Sequence, residues 1–167
     1  KGHLEVLKRV HCYLRNCKRT SIKFRTERPD HSGLGYKKPA WNTVCHPAGE
    51  ELPHNMPKPS GVSALLTAFV DANLMHDLVT GRSATAVIHM INKTPIYWFS
   101  KRQNTVETDT CGSECLAARI AVEQIMDLRC TLRMIGVPVD GATWLFGDNE
   151  AVVNSGSIPS HTLKKRH

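Results

Sequence analysis

Two apolar runs of this chain end in aspartates, and the apolar face of a long predicted helix begins with a glutamate. Asp71 follows the run 65–70, Asp148 follows the run 142–146 after one glycine, and Glu114 opens the helix face. An unpaired buried carboxylate is disfavoured by several kcal/mol, so three converging acids need a compensating positive charge. Mg²⁺ prefers oxygen ligands and supplies that charge. We therefore expect a fold that brings these three acids together around a metal.

The spacing of apolar residues predicts three strands, a helix, a fourth strand and a second helix, in that order. The short joint at Asn92 and Lys93 predicts an antiparallel hairpin between the second and third strands. This order is typical of an α/β fold in which a mixed sheet of antiparallel hairpin strands and a parallel strand is covered by helices. The six elements are expected at residues 65–70, 84–91, 94–100, 112–135, 142–146 and 148–154.

The first 60 residues differ from the rest of the chain. They hold 12 Lys and Arg against 5 Asp and Glu, so they carry the whole net charge of +7. Leu4, Leu7, Val10 and Leu14 recur at helical spacing, which predicts a basic amphipathic helix over residues 2–16, followed by a proline-rich linker. We expect residues 1–60 to be an arm and residues 61–167 to be a compact domain whose C-terminal part is missing. The charge favours a polyanionic partner, although a solvated basic surface is the equal alternative.

Composition also bears on location and on other metal sites. No apolar stretch is long enough to span a membrane, and residues 1–19 are too basic to be expected as a signal peptide. The six cysteines are therefore expected as thiols in a reducing intracellular compartment. No membrane partner is expected. Cys45, His46 and His54 lie close together in sequence but lack zinc-ligand spacing, which makes a zinc site there a minor alternative.

Four motifs occur in a fixed order: VDANLMHDLVTGRSAT, PIYWFSKRQNTVE, GSECLAA and FGDNEAV. In this order and spacing the stretch 69–155 resembles the ribonuclease H domain of copia-type LTR retrotransposon polyproteins. The earlier segment GHLEVLKRVHCYLRN resembles the part of those polyproteins that joins the reverse transcriptase to this domain. The resemblance implies a ribonuclease H-like sheet and, as a partner, the rest of the Pol polyprotein.

The same resemblance implies an activity and its residues. Asp71, Glu114 and Asp148 match the metal ligands on the first strand, the first helix and the end of the fourth strand. They would hold two Mg²⁺ or Mn²⁺ ions about 4 Å apart and cleave the RNA strand of an RNA–DNA hybrid. The family has a further ligand in a region expected beyond His167. Gly112, Ser113 and Cys115 depart from the residues usually found around the helix glutamate.

Several polar residues are expected to contact the hybrid backbone because they lie in turns next to the predicted site. A solvated turn is the alternative for each of them. Two functions therefore stay open: a metal-dependent endoribonuclease acting during reverse transcription, and a decayed, inactive fragment that only binds nucleic acid. An integrase or transposase, which shares the general sheet, is a third option that the motifs disfavour. The expected backbone contacts are Arg82, Ser83, Lys101, Arg102, Gln103 and Asn149.

Overall fold

The computed structural model describes residues 2–34 and 52–158. A short 3₁₀ turn at Ser32–Leu34 precedes the first strand. Within the described ranges, no helix is long and apolar enough to cross a membrane. The elements are α1 (Gly2–Asn16), β1 (Leu66–Asp77), β2 (Arg82–Ile91), β3 (Thr94–Arg102), α2 (Thr110–Met134), β4 (Trp144–Phe146) and α3 (Glu150–Ser157).

The four strands form one mixed sheet with the order β3-β2-β1-β4. β1 pairs antiparallel with β2, β2 pairs antiparallel with β3, and β4 lies parallel to β1. A parallel partner needs a crossover, and α2 is part of the chain that connects β3 to β4. This arrangement confirms the α/β class and the predicted order of elements.

The core lies between one face of the sheet and α2. Alternate residues of the two central strands, including Val70 and Val87, are buried against Ala117 and Ala121 of the helix. Small alanine side chains let the helix approach the sheet closely, so the polar residues at its first buried turn come near β1. The opposite face of the sheet is more exposed and carries Phe69, whose ring stacks on that of Phe146.

The turn between β2 and β3 depends on Asn92. Its φ of 53° is left-handed, a conformation that asparagine tolerates better than most residues. Its side-chain oxygen accepts from the Leu65 amide at 3.1 Å, and its side-chain nitrogen donates to the Thr26 carbonyl at 3.0 Å. Asn92 therefore joins the hairpin turn to the start of β1 and to the N-terminal segment.

Part of the predicted linker packs on the domain. The Arg25 amide donates to the Thr94 hydroxyl, Arg28 forms an ion pair with Asp140, and the His31 ring contacts Trp144 edge-on. Residues 25–31 therefore run across the sheet from the start of β3 to β4, whereas all of α1 is exposed or half-exposed and contributes no buried residue. The predicted boundary at residue 61 leaves out this packed segment.

Candidate metal centre

Asp71 lies in the middle of β1, where it pairs in register with Ala86 of β2. The apolar run before it ends at Val70, but the strand continues to Asp77 because backbone pairing with β2 persists through a more polar sequence. Successive side chains of a strand point to opposite faces, so Asp71 faces away from the core that holds Val70. Its side chain is exposed.

Glu114 lies in the second turn of α2 and is the most buried acid of the cluster, with 8% of its surface exposed. The helix begins at Thr110 because Asp109 caps it, accepting a hydrogen bond from the Gly112 amide. The Glu114 carboxylate accepts a hydrogen bond of 3.2 Å from the backbone amide of Ala72 on β1. This bond aims the carboxylate at the strand that carries Asp71.

Asp148 follows β4 after Gly147, and Asn149 then caps α3. The Asn149 side chain accepts hydrogen bonds from the amides of Ala151 and Val152. An aspartate can also cap a helix in this way. Because Asn149 fills the role, the Asp148 carboxylate is exposed and left available to a ligand.

The three acids meet although they come from three separate elements. One ligand oxygen from each of Asp71, Glu114 and Asp148 lies within 4.8 Å of the other two. Burial raises the pKa of Glu114 above its ordinary value, the Ala72 hydrogen bond opposes this, and the charges of Asp71 and Asp148 raise it further. The cluster therefore destabilises its own negative charge in the absence of a cation.

The donor set fits a hard divalent cation. Mg²⁺ binds carboxylate oxygens at about 2.1 Å, so two oxygens on opposite sides of one ion lie about 4.2 Å apart. The spread of the three oxygens is close to this span, and the two exposed aspartates have room to rotate. A cavity of about 320 Å³ adjoins the cluster and is lined by Phe69, Val70, Asp71, Phe146, Gly147 and Asp148.

Three of the expected nucleic-acid contacts lie together at the far end of the sheet. Arg82, Lys101 and Arg102 line one cleft with His76, Asp77 and Asn104. Sequence reasoning missed His76, Asp77 and Asn104 as members of this group. The only available signal was the pair Asp77 and Thr80, whose spacing is typical of a turn closed by an aspartate side chain.

The structure corrects the expectation for Ser83 and Gln103, because both side chains are buried. Ser83 is 0% exposed and its hydroxyl accepts from the Met75 amide. Gln103 is 2% exposed and its side-chain nitrogen donates to the Thr85 hydroxyl and the Ser113 carbonyl. Gln103 therefore joins β3 to β2 and to the first turn of α2, and both side chains are directed into the protein.

Asn149 lies beside Asp148, but its side-chain oxygen is already engaged in hydrogen bonds because it caps α3. Of the alternative zinc ligands, Cys45 and His46 lie outside the described residues.

Comparisons of the chain with models of protein families, with curated proteins and with solved structures found no match.

Proposed function

We propose that this chain is a ribonuclease H-like domain that hydrolyses the RNA strand of RNA–DNA hybrids with the help of divalent metal ions. The observation that carries the proposal is the convergence of Asp71, Glu114 and Asp148 from β1, α2 and the end of β4. The mixed sheet, with its hairpin strands, long helix and parallel strand, agrees with such a fold. The ordered sequence motifs supply the link to hybrids of RNA and DNA.

Each acid has a distinct part in the proposed site. Glu114 is held by the Ala72 amide and would be the fixed ligand. Asp71 and Asp148 are exposed and would hold the ions from β1 and from the end of β4. Bound Mg²⁺ or Mn²⁺ would supply the charge that activates water and stabilises the leaving oxygen of a phosphodiester. No nucleophilic side chain is needed for this chemistry.

The electrostatics support a site built for cations. Burial raises the pKa of Glu114, and repulsion from the nearby carboxylates of Asp71 and Asp148 raises it further. Groups with a perturbed pKa are concentrated at functional sites, so this cluster of acids supports the proposal. A divalent ion converts the repulsion into attraction and stabilises the folded domain.

The test is cleavage of a hybrid whose RNA strand is labelled, with Mg²⁺ or with EDTA. We expect Mg²⁺-dependent cleavage that falls roughly 100-fold or more in Asp71→Asn and Asp148→Asn, the scale of losing a group that stabilises transition-state charge. Asp127→Asn, which alters an exposed aspartate on α2, is the matched control and should cut at the parent rate. If Asp71→Asn cuts as fast as the parent, the assignment fails.

One observation favours the second candidate, an inactive fragment that only binds nucleic acid. In the described part of the chain, no hydrogen-bond donor orients the carboxylate of Asp71 or Asp148, so only Glu114 is fixed. Loosely held ligands lower the affinity for metal. In that case the parent and Asp71→Asn would bind a hybrid equally well, and neither would cut it in Mg²⁺.

A further inference from the structure

The cleft at the far end of the sheet has the character of an anion site. It has a volume of about 600 Å³, is open to solvent and is lined by three permanent cations, one aspartate, one histidine and one asparagine. Resting on the proposed function, we propose that this cleft binds a phosphate of the duplex backbone at a distance from the cut, using Arg82 and Lys101. It would thereby hold the duplex against the acidic cluster.

Asp77 does not neutralise the positive charge of the whole cleft, because it forms an ion pair with only one of the three cations. Asp77 at the end of β1 forms an ion pair with Arg102 at the end of β3. The Thr80 hydroxyl and the Val79 amide also donate to the Asp77 carboxylate. Asp77 therefore stays anionic and holds Arg102 in place.

Arg82 and Lys101 are the cations that remain for a ligand. Among the described residues, no carboxylate lies within ion-pairing distance of either side chain. Two unpaired cations at one concave surface suit the oxygens of a phosphodiester. Asn104 on the same cleft adds an amide that hydrogen-bonds to phosphate or ribose.

The cleft and the acidic cluster lie along one strand. Asp71 and Asp77 are six residues apart on β1, which at about 3.3 Å per residue places them at most about 20 Å apart. Asn73 lies between them, and its side chain contacts the His76 ring that lines the cleft. The irregular pairing between Asn73 and Asp77 shortens the path.

This distance sets where the second contact falls on a duplex. Phosphates of one strand follow each other at about 3.4 Å along the duplex axis. A span of up to about 20 Å therefore corresponds to at most about six base pairs between the cut and the phosphate in the cleft. A duplex, which is stiff over this length, bridges the two sites at little entropic cost.

The test measures hybrid binding in EDTA, so that cleavage does not interfere, over a range of salt concentrations. We expect Arg82→Gln and Lys101→Gln each to weaken binding and to reduce the slope of log K against log salt by roughly one unit. Lys93→Gln, at the opposite end of the same two strands, is the matched control and should leave the slope unchanged. Thermal unfolding verifies that each variant is folded.

A second arm locates the phosphate. Uncharged methylphosphonates replace single phosphates of the hybrid. A replacement within about six base pairs of the cut should weaken binding by the parent but not by the double variant Arg82→Gln/Lys101→Gln. If the double variant keeps the parental slope and the parental sensitivity, the cleft does not bind phosphate. Loss of the proposed catalysis would appear differently, as absent Mg²⁺-dependent cleavage with the parental salt slope intact.

Discussion

The Glu114 carboxylate on α2 accepts a hydrogen bond of 3.2 Å from the backbone amide of Ala72 on β1, one residue after Asp71. This bond joins the helix to the strand at the point where the acids gather. It partly offsets the rise in the Glu114 pKa that burial and the neighbouring aspartates produce. The same contact therefore positions the proposed metal ligand and lowers the cost of keeping it charged.

Glu114→Gln should stabilise the metal-free protein and abolish its stabilisation by Mg²⁺. The folded pKa of Glu114 lies above its unfolded value, so its contribution to stability is lost as pH rises through the folded pKa. Gln carries no charge, so the unfolding midpoint of the variant in EDTA at neutral pH should lie above that of the parent. Thermal unfolding with EDTA and with Mg²⁺ measures both effects. A lower midpoint for the variant in EDTA would contradict the electrostatic reasoning.

Asp77→Asn should remove a pH dependence of stability that is opposite in sign to that of Glu114. The Thr80 hydroxyl, the Val79 amide and Arg102 lower the pKa of Asp77 to about 2 against an opposing effect of burial. Its contribution to stability is complete above an ordinary pKa of 3.8 and is lost as pH falls from there towards 2. Urea unfolding of the parent and the variant should therefore differ at pH 6 and converge near pH 2. A difference that does not change with pH would show that the carboxylate charge is not the cause.

Gln103→Leu should destabilise the fold without affecting hybrid binding. It removes the donor to the Thr85 hydroxyl and the Ser113 carbonyl, and leaving such buried acceptors unpaired costs about 1–3 kcal/mol. Denaturant unfolding measures the loss, and the affinity of the folded variant for a hybrid should equal that of the parent. A weaker affinity in a folded variant would indicate that Gln103 contacts the nucleic acid.

Asn92→Ala should destabilise the domain by about 1–3 kcal/mol. Alanine loses the hydrogen bonds to the Leu65 amide and the Thr26 carbonyl and adopts the left-handed φ at a cost. Lys93→Ala, in the same turn, removes only an exposed ion pair with Glu27 and serves as the control, with little or no change in stability expected. Equal losses in the two variants would place the effect in the turn as a whole.

Much of the fold can be predicted from the sequence, because the spacing of apolar residues matches the helices and strands of the folded chain. The N-terminal helix has its expected bounds, and α2 begins two residues before the expected start because Asp109 caps it. β1 extends seven residues beyond its predicted end at residue 70. Only one face of it packs on α2, and backbone pairing with β2, which no residue pattern reveals, maintains the strand.

The site is a different case. Acids that follow apolar runs were visible as anomalies, and the structure brings Asp71, Glu114 and Asp148 together. Whether a polar residue near a turn faces solvent or the interior was not visible, since Ser83 and Gln103 find their partners in other strands and in α2. The ion pair of Asp77 with Arg102 depends on tertiary contact in the same way.

The central claim is that three carboxylates from separate elements form one binding site for divalent ions. Titration with Mn²⁺, with free ion quantified by electron paramagnetic resonance, tests it without requiring catalysis. The parent should bind about two ions per chain, Asp71→Asn and Asp148→Asn should each lose at least one of them, and Asp127→Asn should match the parent. Identical stoichiometry and affinity in all four proteins would contradict the claim.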